Sequence, residues 1–259
     1  MEKIFYLSGM PRSGSTLLGS ILSQHNDVFV TPTSPLNRVM HDLFESLQNN
    51  TMRGIRDIDE LNSKLFYNLV KIWYDDVPKK YVFDKSRGWG FNIQAIQAFI
   101  DPDPRVIITK RPLEDVISSF VVLIEKDPKN HIDRSLYSDG KKLTTENRAM
   151  AIWDRFKDYG FKSTKIAVEQ FSDIIHIVDY DNLINNTEEV MNGIWNYLDV
   201  PKPIHTFDNI ECYLNENDEN WGIQGLHVVR SKIEKTSKPS IEIIGEELTD
   251  FFKRQENGY

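Results

Sequence analysis

The chain has 259 residues, 40% of them hydrophobic, and a formal net charge of −8. This length is within reach of one α/β domain with a large core, so we expect a single domain over residues 1–259. The negative charge argues against broad binding to nucleic acid or anionic membranes, so local cations must hold any anionic ligand. Cys212 is the single cysteine, which excludes an internal disulfide. No His-rich or Cys-rich cluster suggests a metal site.

Short apolar strands alternate with helical stretches along the chain. This pattern is typical of a parallel sheet with helices on both faces. The predicted strands are residues 3–8, 28–30, 81–84, 105–109 and 174–180. The predicted helices are residues 15–24, 35–49, 58–74, 91–100, 113–124, 145–159, 187–198 and 241–252. We therefore predict an α/β fold in which a parallel β-sheet of about five strands is flanked by helices.

Two polar segments, residues 126–143 and 215–225, interrupt this alternation, and residues 206–239 as a whole are expected to be irregular. Loops of this length are either lids and substrate loops or plain surface connections, and the sequence leaves both readings open. The first strand begins at about Lys3, which leaves no room for a signal peptide or anchor before it. No apolar run approaches the roughly 20 residues of a membrane span. We therefore expect a cytoplasmic protein.

The segment after the first predicted strand has the layout of a phosphate-binding loop. Gly9 is followed by four residues and then by Gly14, Ser15 and Thr16 at the start of a helix. Backbone N–H groups and the positive end of the helix dipole favour an anion at such a place. A loop that binds ATP or GTP would carry lysine where this chain has Ser15. Here the cation is Arg12, inside the loop.

This pattern resembles the first signature of the sulfotransferases that use 3′-phosphoadenosine 5′-phosphosulfate (PAPS). The signature stands here as Pro11-Arg12-Ser13-Gly14-Ser15-Thr16, in an arginine form similar to bacterial-type members. The resemblance implies a P-loop NTPase-like sulfotransferase fold and PAPS as co-substrate, with adenosine 3′,5′-bisphosphate as product. It also implies that the residues of this signature bind the 5′-phosphosulfate. Arg12 would then clamp the reacting group electrostatically.

A second signature follows the fourth predicted strand. Arg111 ends that strand, and Ser119 comes eight positions later in the next helix. In the family that this chain resembles, these positions bind the 3′-phosphate, which an arginine fork matches well. The resemblance also places Tyr180 beside the adenine. It assigns Arg230 to the nucleotide, although the late basic loop departs from the family's Arg-Lys-Gly form.

The third predicted strand is followed by Lys85, where related sulfotransferases place a lysine close to the transferring group, and Arg87 could also reach the site. An acceptor hydroxyl also needs a base. Tyrosine- and heparan-type members carry a glutamate just after the second strand, but residues 31–35 contain no carboxylate. Asp84 and His41 are the substitutes that the sequence offers, and Asp84 could instead simply pair with Lys85. The predicted catalytic residues are Arg12, Lys85 and Asp84.

Two other functions remain open at this point. A P-loop kinase would use Asp84 to bind magnesium, but it would need a lysine at position 15. A nucleotide-binding protein without catalysis would explain the missing base. The expected partner of a sulfotransferase is a sulfate acceptor that the sequence does not identify, and we expect neither nucleic acid nor a membrane span.

Overall fold

The computed structural model describes residues 1–48, 57–212, 216–234 and 238–258. The end of the second predicted helix, at residue 49, lies outside the described residues, as do residues 213–215 and 235–237 of the late irregular region. Five strands form one sheet in which every pairing is parallel. The strands are β1 (Lys3–Gly9), β2 (Val28–Thr33), β3 (Tyr81–Lys85), β4 (Val106–Lys110) and β5 (Ile175–Asp179). The predicted α/β class and the five-stranded parallel sheet are confirmed.

The helices follow the strands in the order that a parallel sheet requires, because each crossover must return to the starting edge. Before β4 they are α1 (Ser15–Leu22), α2 (Leu36–Leu47), α3 (Ile58–Trp73) and α4 (Trp89–Phe99). Between β4 and β5 they are α5 (Leu113–Glu125), α6 (His131–Ser138), α7 (Thr145–Phe156) and α8 (Lys162–Gln170), with a π-helical turn at Lys157–Phe161. After β5 they are α9 (Tyr180–Asn185), α10 (Thr187–Leu198), α11 (Asp218–Trp221) and α12 (Ser240–Gly258). No described helix combines the length and apolar character needed to cross a bilayer.

Side chains alternate between the two faces of the sheet, and each face is buried by a different set of helices. In β1, Phe5 and Leu7 pack in a cluster with residues of α1 and α10. Ile4 and Tyr6 of the same strand pack on the other face with residues of α2, α3, α4 and α8. A third apolar cluster joins α5, α7 and α12. Burial on both faces explains why these strands are almost continuously apolar.

The strand order is β2-β3-β1-β4-β5, so β1 lies between β3 and β4. Their registers pair Leu7 with Lys85 and Gly9 with Thr109, at the carboxyl ends of the three strands. In open α/β sheets, ligands bind outside the carboxyl ends where the strand order reverses. The loops that follow β1, β3 and β4 therefore start side by side at that edge.

Sequence patterns missed two short helices between β4 and β5, which are α6 and α8. The polar segment 126–143 contains α6, which begins when the side chain of Asn130 caps the backbone N–H of Asp133. With eight residues between Pro128 and Gly140, this helix is too short for its periodicity to stand out. The predicted helix 145–159 ends as an α-helix at Phe156 and continues through the π-helical turn into α8. Residues 126–143 were predicted to be a loop, either a lid or a surface connection, and the structure adds a helix within them.

Candidate functional site

A cavity of about 880 Å³ opens at the carboxyl edge of the sheet. The cavity is lined by the loop after β1 and by segments after β3, after β4 and from the late irregular region. Most of the residues that the sequence predicted for the site line this cavity: Pro11, Arg12, Gly14, Ser15, Thr16, Lys85, Arg111, Ser119, Tyr180 and Arg230. Ser13 is 1% exposed and lies in the loop beneath them.

The loop after β1 turns sharply and packs directly on its neighbours. Gly9 has φ +141°, and a Cβ atom there would lie 2.2 Å from Oγ1 of Thr109. Gly14 has φ +96°, and a Cβ atom there would lie 2.8 Å from Cδ2 of Tyr180. Both positions therefore require glycine, for conformation and for space. Oγ of Ser13 lies 2.6 Å from the carbonyl oxygen of Met10 and 2.6 Å from Oγ1 of Thr109, which fixes the loop to β4.

Helix α1 begins after Gly14 with no side-chain cap. The first intrahelical bond runs from the backbone N–H of Leu18 to the carbonyl oxygen of Gly14. The preceding N–H groups of the first turn, at Ser15 and Thr16, have no partner within the helix, as at every helix start. Together with the helix dipole, these groups favour an anion at this position.

Arg12 connects the two predicted phosphate motifs. Its Nε donates to Oγ of Ser119 at 3.2 Å, and its carbonyl oxygen accepts from Nη1 of Arg111 at 3.0 Å. Its own Nη1 donates to the carbonyl oxygen of Leu226 at 2.6 Å. Burial, and then the neighbouring charge of Arg111, lower the pKa of Arg12. A bound anion would relieve this concentration of positive charge.

Arg111 and Tyr180 lie beside this loop. The guanidinium carbon of Arg111 is 4.2 Å from the centre of the Tyr180 ring, a cation–π contact. The Nε atom of Arg111 is buried and has no hydrogen-bond partner among the described residues. This donor is therefore available to an acceptor on a ligand. Tyr180 begins α9, and the sequence had placed it at the end of the strand.

Lys85 forms a buried ion pair that the sequence did not predict. Its Nζ lies 2.6 Å from Oε1 of Glu216, with side-chain exposures of 8% and 4%. The same oxygen accepts from the backbone N–H of Thr33 at 2.7 Å and from its hydroxyl at 2.9 Å. Burial lowers the pKa of Lys85 and Glu216 opposes that shift. Burial raises the pKa of Glu216, but the charge and hydrogen bond of Lys85 outweigh it, so the net pKa of Glu216 is lowered.

Glu216 brings a carboxylate to the end of the second strand, where the sequence has none. It comes from a segment 183 residues after Thr33. The acidic composition of residues 215–225, and the possibility that they form a substrate loop, were the only sequence signals for it.

Asp84 lies away from the cavity, so the prediction that it acts on substrate is corrected. Its neighbour Lys85 faces the cavity, and strand alternation turns Asp84 to the opposite face. There it is 0% exposed and accepts hydrogen bonds from Ser34 (Oγ, 2.7 Å), from Trp89 (Nε1, 2.9 Å) and from the hydroxyl of Tyr74. Burial, partly offset by these bonds, raises the pKa of Asp84 to about 6. Asp84 therefore stabilises the packing of these three side chains against β3.

The remaining candidates divide between the cavity and the surface. Arg87 lines the cavity, with its guanidinium carbon 4.6 Å from the centre of the Trp221 ring, and burial lowers its pKa to about 10. His41 is exposed on α2 and does not reach the cavity. His227 was not considered as a site residue, yet it lines the cavity and contacts Asp218. The sequence gives no signal for this position, because the late segment reaches the cavity only in the folded protein.

Comparisons with known proteins agree with this geometry. Residues 5–203 match the model of the sulfotransferase family. Among solved structures, the sulfotransferase domain of the Synechococcus PCC 7002 olefin synthase has a TM-score of 0.54 at 17% identity, covering 96% of this chain and 93% of that one. Sulfotransferase STF1 from Mycobacterium tuberculosis H37Rv has a TM-score of 0.50 at 14% identity, covering 100% of this chain and 77% of that one.

No curated protein sequence matches the chain. At these identities the two structures establish the fold, which is the P-loop NTPase-like sulfotransferase fold predicted from the loop after β1. The family model establishes membership, because it covers most of the chain from β1 to the segment after α10. The chain belongs to the sulfotransferase family.

Proposed function

We propose that this protein transfers a sulfuryl group from PAPS to an acceptor hydroxyl or amine and releases adenosine 3′,5′-bisphosphate. The observation that carries the proposal is the hydrogen bond between Arg12 and Ser119, which joins two anion-binding motifs in one cavity. One motif suits a 5′-phosphosulfate, and the other suits a second phosphate. A ligand with two separate anionic groups fits this arrangement, and the cavity volume of about 880 Å³ has room for a nucleotide.

Each part of the cavity then has one task in binding. The first-turn N–H groups, with Ser15 and Thr16, hold the 5′-phosphate. Arg111 and Ser119 hold the 3′-phosphate, and the unpartnered Nε of Arg111 supplies a donor for it. Tyr180 supports the adenine side, and Arg230 lines the same cavity.

The chemistry asked of the protein is electrostatic. Negative charge develops on the leaving 5′-phosphate oxygen, and preorganised donors at that oxygen lower the barrier most. We assign this role to Arg12, which lies in the loop, and to Lys85, which ends the strand beside β1; both line the cavity. Arg12 acts as a clamp and not as an acid, since arginine stays protonated.

A direct test supplies labelled PAPS to the protein in a cell extract and identifies the labelled product by mass. Transfer of label to an acceptor supports the proposal. Calorimetry with adenosine 3′,5′-bisphosphate and with ATP gives a second test, in which we expect preference for the bisphosphate. Preference for ATP together with phosphate transfer would support a kinase. Binding of the bisphosphate with no transfer in any extract would support a non-catalytic binder.

Arg111→Ala should weaken binding of adenosine 3′,5′-bisphosphate at least tenfold and hardly affect AMP. A charge-assisted hydrogen bond contributes roughly 1.5–3 kcal/mol, and AMP lacks the phosphate that Arg111 would bind. Ser119→Ala should show the same selectivity with a smaller loss. Calorimetry with the two nucleotides measures both effects.

Two further variants separate this role from damage to the loop, because Arg111 also donates to the carbonyl oxygen of Arg12. Arg111→Lys keeps the charge and loses the fork, so it should lie between the wild-type protein and Arg111→Ala. Arg105→Ala, at the other end of β4, is the matched control and should leave both affinities unchanged. Equal losses for AMP and the bisphosphate in Arg111→Ala would count against a contact with the 3′-phosphate.

Sulfate transfer should survive an excess of chelator. Protein side chains, Arg12 and Lys85, take the place of the magnesium that a kinase needs. If the protein were a kinase, Asp84 would be the carboxylate that binds magnesium, but its side chain is fully buried on the other face of the sheet. Initial rates with and without chelator measure the effect. If chelator stops the reaction and magnesium restores it, the assignment of charge stabilisation to these two side chains is wrong.

A further inference from the structure

The late segment of the chain places a histidine–carboxylate pair on the cavity wall. Nδ1 of His227 lies 2.7 Å from Oδ1 of Asp218, the first residue of α11. The side chains of these two residues are only 10% and 15% exposed. His227 is the one histidine among the described residues that line the cavity. A carboxylate at Nδ1 fixes both the orientation of an imidazole ring and the position of its proton.

His227 is linked through neighbouring groups to the two cations that are proposed to hold the reacting group. The residue before it, Leu226, accepts a hydrogen bond from Arg12 through its carbonyl oxygen at 2.6 Å. On the other side, Nε2 of His227 is 3.9 Å from Oε1 of Glu216, the oxygen that binds Lys85. The ring therefore lies next to the carboxylate that binds Lys85, and its backbone follows directly on the residue that Arg12 contacts.

Burial leaves the ring neutral near pH 7. Burial is the largest influence and lowers the pKa of His227, and Lys85 acts in the same direction. Asp218 and Glu216 oppose that shift without reversing it. When the ring is neutral and Nδ1–H donates to Asp218, the lone pair of Nε2 is available to accept a proton.

The other possible bases are less suitable. Oε1 of Glu216 already accepts hydrogen bonds from Lys85 and from two groups of Thr33, and its lowered pKa makes it a weak base. Asp84 lies on the opposite face of the sheet, and His41 is exposed on α2.

We propose that His227 is the catalytic base of this protein and that Asp218 is its positioning residue. This rests on the proposed sulfotransferase function. Nε2 of His227 takes the proton of the acceptor hydroxyl as the acceptor oxygen forms its bond to sulfur. The bond between sulfur and the bridging oxygen breaks, and its electron pair stays with the 5′-phosphate of adenosine 3′,5′-bisphosphate. Glu216 keeps Lys85 in place, and no oxidant or further reactant is needed.

The first experiment compares His227→Asn with the wild-type protein, using the labelled product that the wild-type protein forms from PAPS in a cell extract. Asparagine keeps a donor close to the position of Nδ1 and removes Nε2. We expect turnover to fall about a hundredfold or more, as for loss of a general base. The wild-type rate should fall as pH drops through the pKa of His227, below its ordinary value, and this acid limb should be absent in the variant. The affinity for adenosine 3′,5′-bisphosphate should change less than threefold.

Asp218→Asn and Glu216→Gln distinguish the roles of the two carboxylates. Asp218→Asn should lower kcat at least tenfold and move the acid limb to lower pH, because a neutral partner stabilises imidazolium less. Glu216→Gln keeps an acceptor for Lys85 and Thr33 and should retain the acid limb. If Glu216→Gln abolishes the limb while His227→Asn keeps it, Glu216 is the base and the proposal is wrong.

The outcomes for the two proposals differ. If the wild-type protein transfers sulfate and His227→Asn does so at a similar rate, the base assignment fails and the sulfotransferase proposal stands. If the wild-type protein transfers nothing from PAPS in any extract, both fail. If a variant does not fold, the proposal can still be tested on the wild-type protein without an acceptor. ¹⁵N NMR of the wild-type protein should show neutral His227 with its proton on Nδ1. A proton on Nε2 would overturn the proposal.

Discussion

Arg12→Ala is expected to lower sulfate transfer about a hundredfold or more while the protein stays folded, by the scale of losing one preorganised donor. Arg12 is the single cation between Gly9 and Thr16 in the proposed phosphate loop, and it contacts Ser119 and Leu226, which also line the cavity. Under the proposed function, its removal takes away both the charge at the leaving oxygen and the link between the two proposed anion sites. Turnover of the purified variant, together with its thermal melting temperature, measures the effect.

Two variants serve as references for this result. Arg12→Lys keeps a positive charge but has one point donor in place of a fork, so its turnover should lie between those of the wild-type protein and Arg12→Ala. Arg38→Ala removes an exposed arginine of α2, which pairs with Asp42 at the surface, and should leave turnover unchanged. Near-normal turnover in folded Arg12→Ala would remove the basis for an electrostatic clamp at this position.

Asp84→Ala should lower the free energy of unfolding by about 3 kcal/mol or more, because buried donors that lose their acceptor cost about 1–3 kcal/mol each. The hydroxyls of Ser34 and Tyr74 and the indole N–H of Trp89 all donate to this carboxylate. Bisphosphate affinity and turnover of the folded fraction should change little, since Asp84 is on the face of the sheet opposite the cavity. Urea unfolding at pH 7 and calorimetry measure the two effects.

The pH dependence provides a further check. Burial raises the pKa of Asp84 from 3.8 to about 6, so its protonated form favours folding below pH 4 and that contribution is lost as pH rises through 6. Asp84→Asn does not titrate, so its destabilisation relative to the wild-type protein should be larger at pH 5 than at pH 7.5. Asp42→Ala, at an exposed ion pair, is the control and should change stability by no more than about 0.5 kcal/mol. If Asp84→Ala is fully stable but has no turnover, Asp84 has a catalytic role and the structural role predicted here is wrong.

The sequence alone was enough to predict the sheet and the glycine-flanked turn between β1 and α1, because both depend on local patterns. Apolar runs of five to seven residues alternating with amphipathic stretches can satisfy their burial only as a parallel sheet covered on both faces. Gly9 and Gly14 are needed for positive φ, and the placement of Arg12 between them distinguishes this loop from that of a kinase. The spacing from Arg111 to Ser119 is likewise local, since it spans one strand end and one helix.

Contacts between distant segments decided the rest. Strand alternation separates Asp84 from Lys85, but only the packing of Tyr74 and Trp89 shows that the face of Asp84 is closed. Glu216 reaches Thr33 and Lys85 from a region with no regular pattern. Asp218 and His227 come together in the same way, nine residues apart around a short helix. Irregular segments have no periodicity that fixes their path, so their side chains acquire a site only when the sheet and its neighbouring loops give them a surface to pack on.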